Sequence, residues 1–397
     1  MKPNIFIASF VKNDNNGGSV GMDYILKTIG TDSIMWFNTK SRPFESIDCY
    51  NDQTDIILSL VSFVNFIFHK LDYFLQRIVF SQKLNIYLHR TVIVIYKKFT
   101  KIYALWLVRI INKKKIKNFY FSLDNDFIYQ LSDILSLLDA EKFHCVVSDD
   151  PAGALKMYGN LPFLVDDINK LVGQILRKSD KIYVISDGMR SYYKELYGID
   201  SIITLPVNYT ESRHNFKHKK TKSKRDTIKF IHIGHLRKSE VINTNTFLEV
   251  LINNQIEFEF LFVGRSSSYY KDILKIDQIR FLDWVEQAEL NDLLDNSHFG
   301  YLPYSFRETD DLFVRTSFPN KLTSYSKRGL PTIFHGPSYS SAYAFVKENE
   351  IGICYDDILI SSVDICSIFN FNILEEQIVD IAERHFEPDI IARKYVD

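Results

Sequence analysis

The sequence predicts an α/β protein made of two Rossmann-like, doubly wound parallel-sheet domains facing a cleft. Short apolar runs of strand length alternate with helix-length stretches along most of the 397 residues. A chain of this length exceeds one ordinary core, and about 150 residues per domain asks for two or three. The alternation breaks at ESRHNFKHKKTKSKRD, from Glu211 to Asp226, and resumes after it. The predicted parts are an N-terminal Rossmann-like domain over 1–210, with a helical insertion at 52–117, and a basic linker over 211–227. A C-terminal domain over 228–372 follows, and then a C-terminal helix over 373–397 that packs back on the first domain.

The first strand is Asn4 to Phe10. A polar loop, NDNNGGS, follows, and a helix from Val20 to Ile29. Gly17 and Gly18 permit positive φ there, and Ser19 suits an N-cap. Strand, Gly-rich loop and helix open a doubly wound domain, although the spacing is not GxGxxG. Two helices are expected at about Asp52–Ser81 and Leu84–Asn112. Their longest charge-free stretch, Ile56 to Phe68, has 13 residues, against about 20 for a membrane span. Lys97, Lys98, Lys101, Arg109, Lys113, Lys114, Lys115 and Lys117 follow with no acid between them. That pattern suits an anionic membrane surface or, equally, core-packing helices with a solvated basic edge. Strands at Asn118–Leu123 and Phe143–Ser148 flank a helix at Ile128–Glu141. KIYVIS (Lys181–Ser186) and Ile202–Val207 complete the half.

The second half restarts with KFIHIG (Lys229–Gly234), EFLFVG (Glu259–Gly264) and IRFLDWV (Ile279–Val285). FGYLPY (Phe299–Tyr304), PTIFHG (Pro331–Gly336) and GICYD (Gly352–Asp356) follow. From about Ile373 the pattern is helical, with acids first and Arg393 and Lys394 last, which suits the helix dipole.

Composition narrows the function. Hydrophobic residues make up 46% and charged residues 24%, the balance of a globular protein rather than a disordered chain. The net charge of −1, from 48 basic and 49 acidic residues, gives little support to nucleic-acid binding. Cys49, Cys145, Cys354 and Cys366 are widely spaced with no CxxC, which argues for free thiols in a reducing compartment rather than zinc or disulfides. The opening MKPNIFIASF is too short for a signal peptide, so a cytoplasmic location is expected.

In parallel sheets the ligand site lies beyond the carboxyl ends of the strands. Those positions are Gly234-His235-Leu236-Arg237-Lys238, Gly264-Arg265-Ser266, Pro303-Tyr304 and Gly336-Pro337-Ser338. Arg and Lys there suit a diphosphate, and a helix N-terminus adds backbone N–H groups. In SFPNKLTSYSKRGLPT, Pro319 suits a first helical turn and Lys321 stands one turn in. Ser317 or Asn320 could reach phosphate. In the first half, Asp149 and Asp150 follow a strand and precede Pro151. They are candidates to activate a hydroxyl or, alternatively, a capping pair. Asp166 and Asp167 form a second acidic pair. His235 and His335 end strands and could face the ligand, whereas His232, His144 and His385 read as structural. Asp124-Asn125-Asp126 is the nearest approach to a metal-binding Asp-x-Asp and reads as a turn.

FIHIGHLRK, IRFLDWVEQAELNDLLDNSHFGYLPYS and SFPNKLTSYSKRGLPTIFHGPSYS together resemble the nucleotide-sugar-binding domain of GT-B glycosyltransferases, group 1 and family 4-like. VISDGMRSYYKELYG with SIITLPVN resembles the end of that family's N-terminal domain. The likeness covers about residues 181 to 356, and the first 145 by architecture. It implies sugar transfer from a UDP- or dTDP-sugar to a glycan or lipid-linked acceptor, held by the N-terminal domain, in bacterial surface-polysaccharide synthesis such as capsule or O-antigen. It implies a retaining reaction; the lack of a convincing Asp-x-Asp predicts no metal or cofactor, and the basic helical region a cytoplasmic protein peripheral to the inner face of the membrane. Arg237 or Lys238, with Lys321, would hold the donor diphosphate and stabilise the leaving group. Trp284 and Val285 would hold the nucleobase, and Ser317 and Asn320 the phosphates or donor sugar. Gly17 and Gly18 would approach the diphosphate, while Gly234, His235, Arg265 and Gly336 would line the donor site. Asp149 or Asp150 would serve the acceptor. The family often has two acids eight positions apart, the second on the ribose. Here those positions are Thr316 and Ser324, which makes a deoxyribose donor thinkable. The alternatives are a nucleotide-sugar epimerase of the same build and a degenerate partner subunit.

Overall fold

In a computed structural model, the described residues are 4–8, 34–38, ten positions between 94 and 112, and 116–396 apart from 124–127, 159–161, 209, 215, 217–225 and 265–269. The chain divides into two compact units. Residues up to Ile185 and Met189–Thr204 form the first, and Ser186–Gly188 with Leu205–Tyr395 form the second.

The first unit is a six-stranded parallel sheet of β1 (Asn4–Ala8), β2 (Ile34–Asn38), β3 (Ile116–Ser122), β4 (Ala140–Val147), β5 (Lys181–Val184) and β6 (Ile202–Ile203). Their order is β2-β1-β3-β4-β5-β6, so the connections reverse direction between β1 and β3. The helices are α1 (Ile128–Leu137), α2 (Pro151–Tyr158), α3 (Pro162–Lys178) and α4 (Asp187–Tyr197). In α3, Val165, Ile168, Val172, Ile175 and Leu176 recur at helical spacing and are buried. They meet Phe119, Phe121, Cys145, Val147, Ile182 and Val184 from one face of the sheet. The other face carries polar groups. His144 stacks on Tyr120 with ring centres 4.3 Å apart, and its Nδ1 lies 3.2 Å from the Tyr183 hydroxyl.

The helix expected over Ile128–Glu141 ends at Leu137, because β4 already begins at Ala140. Strand β2 escaped the sequence reading. Most of the two helices expected over 52–112 lies outside the described residues, as do Gly17 and Gly18. Those described between 94 and 112 are helical. Ala104 and Val108 enter the core. Val94, Lys98, Lys101, Ile102, Leu105 and Arg109 share the outward face, with Ile102 65% exposed. No described helix is long and apolar enough to cross a membrane.

The second unit contains β7 (Ile228–Ile233), α5 (Lys238–Asn253), β8 (Phe258–Val263), β9 (Ile279–Leu282), α6 (Gln287–Asp295), β10 (Phe299–Pro303), α7 (Asp311–Thr316), α8 (Asn320–Lys327), β11 (Thr332–His335), α9 (Ser341–Glu348) and β12 (Gly352–Tyr355). Four helices close the chain: α10 (Ser362–Ile365), α11 (Ser367–Asn370), α12 (Glu375–Phe386) and α13 (Pro388–Val396). The sheet is parallel in the order β12-β11-β10-β7-β8-β9. Counted within the unit this is 3-2-1-4-5-6 read from its other edge, the Rossmann order. Both units are thus Rossmann-like. Strands β10 and β11 are buried throughout, while edge strand β9 is partly open, as a sheet covered on both faces requires. Aromatic rings supply much of this core: Phe247 stacks on Tyr301 at 4.7 Å and Phe260 on Phe262 at 4.5 Å.

Pro388 divides the expected C-terminal helix in two, since its missing N–H and its ring oppose continuation. Helix α12 packs on α8. Arg213, read as part of a solvated linker, is largely enclosed in the second unit between Asp295 (3.5 Å) and Glu375 (3.3 Å). Two carboxylates offset the desolvation of one guanidinium that a polar run alone would leave in water. Cys145, Cys354 and Cys366 are free thiols.

Candidate functional site

Strands β7 and β10 are neighbours, yet only Phe230–Phe299 and Ile231–Gly300 stand in register between them. Beyond that they diverge, at the point where the sheet order reverses. Side chains take over the freed backbone groups. His232 brings Nδ1 to 3.1 Å from the Tyr301 carbonyl. The Tyr325 hydroxyl, from α8, accepts from the Ile233 amide at 3.2 Å and donates to the carbonyl of Tyr301 (3.2 Å) or Ile231 (3.3 Å). Gly300 makes room for that ring, since a Cβ there would lie 2.5 Å from it. This split between strand ends is where doubly wound sheets bind ligands.

Lys321, on the first turn of α8, reaches into the split. Its Nζ lies 3.4 Å from His232 Nε2 and 3.3 Å from the His235 carbonyl. Burial lowers its pKa to about 8, with Glu240 opposing that shift and Arg237 adding to it. Glu240 is buried and accepts from the Arg237 amide at 2.9 Å, closing the first turn of α5. The Arg237 guanidinium lies over the Phe313 ring, 3.8 Å from its centre. His235 and Lys238 are exposed. Asn243 donates to the Tyr304 carbonyl, and the Tyr304 hydroxyl lies 3.0 Å from Ser317 Oγ. Asn320 presents a buried Oδ1 with no partner among the described residues.

Gly234 ends β7 at φ +82°, with open space where a Cβ would be. Gly264, at φ +152°, ends β8 so close to Gly234 that a Cβ would stand 2.9 Å from its carbonyl. Glycine at both positions lets the two strand ends lie side by side. At Gly336 the need is packing, because a Cβ would meet the Tyr304 Cβ at 2.5 Å.

The structure therefore gathers Gly234, His235, Arg237, Lys321, Asn320 and Ser317 at one end of the second sheet. Trp284, 49% exposed, and Val285 follow edge strand β9. Arg265 lies outside the described residues. His335 departs from its expected role. It is buried, its Nδ1 is 3.1 Å from the Tyr301 hydroxyl and its Nε2 is 3.0 Å from the Asp357 carbonyl.

In the first unit, Asp150 is buried with both oxygens engaged. Oδ2 accepts from the Gly153 amide at 2.6 Å and Oδ1 from the Tyr193 hydroxyl at 2.9 Å. That is an N-cap, with Pro151 at the first helical position, so the capping alternative describes the contacts this residue makes. Asp149 beside it is exposed. Asp166 and Asp167 lie exposed on α3, with Asp167 3.9 Å from Lys97.

Ser324, at the position expected to be acidic, is buried. Its Oγ receives Asn208 Nδ2 at 2.8 Å and Thr210 Oγ1 at 3.0 Å. Thr316 turns its hydroxyl back to the Leu312 carbonyl at 2.8 Å. Sequence reasoning missed Glu240, Tyr325 and Phe313 as parts of the site. Only Glu240 left a trace, as the acid three residues after Arg237 at a helix start.

No protein-family model matches the chain, and no curated protein matches it in sequence. Among solved structures it is similar to sucrose-phosphate synthase of Thermosynechococcus elongatus, at TM-score 0.65 and 10% identity over 99% of this chain and 97% of that one. It is also similar to Anabaena HepE in complex with UDP-glucose, at TM-score 0.60 and 9% identity over 99% and 98%. A third likeness is to a UDP-N-acetylglucosamine 2-epimerase from Listeria monocytogenes, at TM-score 0.52 and 9% identity over 100% and 95%. The chain has the two-domain fold of the GT-B glycosyltransferases.

Proposed function

We propose that this protein is a glycosyltransferase that moves a sugar from a nucleotide diphosphate donor to a glycan or lipid-linked acceptor. The observation that carries the reading is Lys321, a desolvated ammonium at the divergence of β7 and β10, beside Arg237. A cation taken out of water gains most from an anion placed against it. The fold's solved relatives support the same reading, HepE holding UDP-glucose.

Breaking the sugar–phosphate bond builds charge on the departing diphosphate and oxocarbenium character on the sugar. Lys321 and Arg237 stabilise the leaving charge, Arg237 held ready by its stacking on Phe313. Asn320 offers its Oδ1 to a sugar hydroxyl, and Ser317 offers its hydroxyl to a phosphate. Trp284 gives the base a face to lie on. Asp149 serves the acceptor in the first unit. With two cations on the diphosphate the reaction proceeds without a metal, and the retaining outcome follows the resemblance. Lacking a carboxylate at Ser324, the site accepts dTDP as well as UDP. The setting is bacterial surface-polysaccharide synthesis, in the cytoplasm at the inner membrane face, where the basic and apolar face of residues 94–109 meets anionic lipid.

Titration calorimetry with UDP and dTDP tests the donor site. Lys321→Ala is expected to weaken binding roughly ten- to a hundredfold, the worth of a hydrogen bond to a charged group, with the thermal transition retained. Unchanged binding sinks the assignment. The epimerase-like neighbour keeps a second reading alive, in which product forms from donor alone. Incubating UDP-sugars without acceptor and finding no isomerised sugar decides against it.

A further inference from the structure

We propose that His232 is a positioning residue for this site: its imidazole is the acceptor that holds the Lys321 ammonium in one orientation without cancelling its charge. The inference rests on the diphosphate reading above and deepens it.

The tautomer follows from the partners. The Tyr301 carbonyl, 3.1 Å from Nδ1, can only accept, so Nδ1 carries the proton; the His235 carbonyl also lies near the ring, but burial keeps the imidazole neutral, so Nε2 presents its lone pair. That lone pair faces Lys321 Nζ at 3.4 Å. The His235 carbonyl, at 3.3 Å, is the second acceptor. Two of the three N–H bonds of the ammonium thus have partners among the described residues, and the third is left for a ligand. An ammonium on a four-carbon stem otherwise spreads over many rotamers, and ordering it costs free energy that a preformed cradle avoids.

The acceptor's chemistry matters as much as its place. A carboxylate at 232 would bond the ammonium more strongly, but the pair would be neutral and would attract a diphosphate weakly. An imidazole satisfies the N–H and leaves the full charge. The groups around it keep it in that form. It is buried between Phe262 on β8 and Lys321 on α8, with His235 beyond the end of its own strand. Burial first, and then the Lys321 charge, hold its pKa well below the ordinary value. Around Lys321, Glu240 and Arg237 act from the start of α5.

Two variants separate positioning from packing. His232→Asn keeps an N–H where Nδ1 stood, toward Tyr301, and removes the acceptor for Lys321. His232→Gln places an acceptor where Nε2 stood. With UDP as the probe, H232N is expected to bind about tenfold more weakly, the loss of one hydrogen bond to a charged group, and H232Q to regain most of it. Wild-type affinity in H232N, while Lys321→Ala loses UDP, would overturn the proposal and leave His232 a core residue. Equal losses in both variants, tracking equal losses of thermal stability, would also overturn it, since packing alone produces that pattern. If Lys321→Ala itself binds UDP normally, the diphosphate reading fails, and this inference with it.

Discussion

A lysine partly buried beside two histidines is an unusual choice unless its charge is used. Lys321 carries a pKa lowered to about 8 by burial, so the apo protein loses that charge as pH rises through about 8. Only the protonated form attracts a diphosphate. The terminal phosphate of UDP has its second pKa near 6, so the ligand's charge is constant above pH 7. UDP affinity is therefore expected to be flat from pH 7 to about 8 and then to fall by up to tenfold per pH unit, until the pKa of the bound form is reached. Calorimetry from pH 7 to 10 on the wild type and Lys321→Ala reads this, and a fall that the variant shares in full would remove Lys321 from the diphosphate. Glu240 has a different part: its carboxylate is spent on the Arg237 amide, so it tunes the field of the site while leaving the Lys321 N–H bonds to neutral acceptors.

Helix starts show how one residue type serves opposite ends. Asp150 begins α2 as an N-cap and also receives the Tyr193 hydroxyl from α4. Asp150→Ala is expected to cost about 2 kcal/mol or more, the sum of a lost cap and a stranded buried hydroxyl. Asp150→Asn, which keeps a capping oxygen, should cost less. Urea unfolding measures both. Full activity in a folded D150N variant confirms a structural role, whereas a folded but inactive D150N would return the residue to the acceptor chemistry. Among strands, β7 and β10 show that an incomplete pairing is a feature of the site. Tyr325 and His232 bond the backbone groups that the divergence frees, so the gap stays open without leaving those groups unsatisfied.

At the scale of the molecule, the near-zero net charge hides local asymmetry. The helical residues described between 94 and 112 put Lys98, Lys101 and Arg109 on one outward face with Val94, Ile102 and Leu105. A face of this kind gains from both apolar insertion and attraction to anionic headgroups, the latter about 1 kcal/mol per basic residue near the surface. Co-sedimentation with vesicles is expected to show binding to phosphatidylserine-containing membranes and little to neutral ones. Raising salt should weaken it. Equal partitioning, or none, argues that these helical residues serve only the core.

The alternation of strands and helices was legible because a parallel sheet covered on both faces demands short, nearly continuous apolar runs, as KFIHIG and FGYLPY show. That Lys321 and Arg237 stand at helix starts near strand ends was also legible, from Pro319 before one and Gly234 before the other. β2 was passed over because its apolar run, Ile34–Phe37, is only four residues long. Asp150 and Asp149 are adjacent and chemically alike, and only folding decided that one is a buried cap and the other faces water. His335 looked like His235 in the chain, yet one has both nitrogens bonded in the core and the other is exposed. Local sequence sets periodicity, turn chemistry and charge through neighbours a few residues away. Which side chains share a hydrogen bond is set by residues such as His232 and Lys321, 89 positions apart, whose meeting depends on how the whole sheet is ordered.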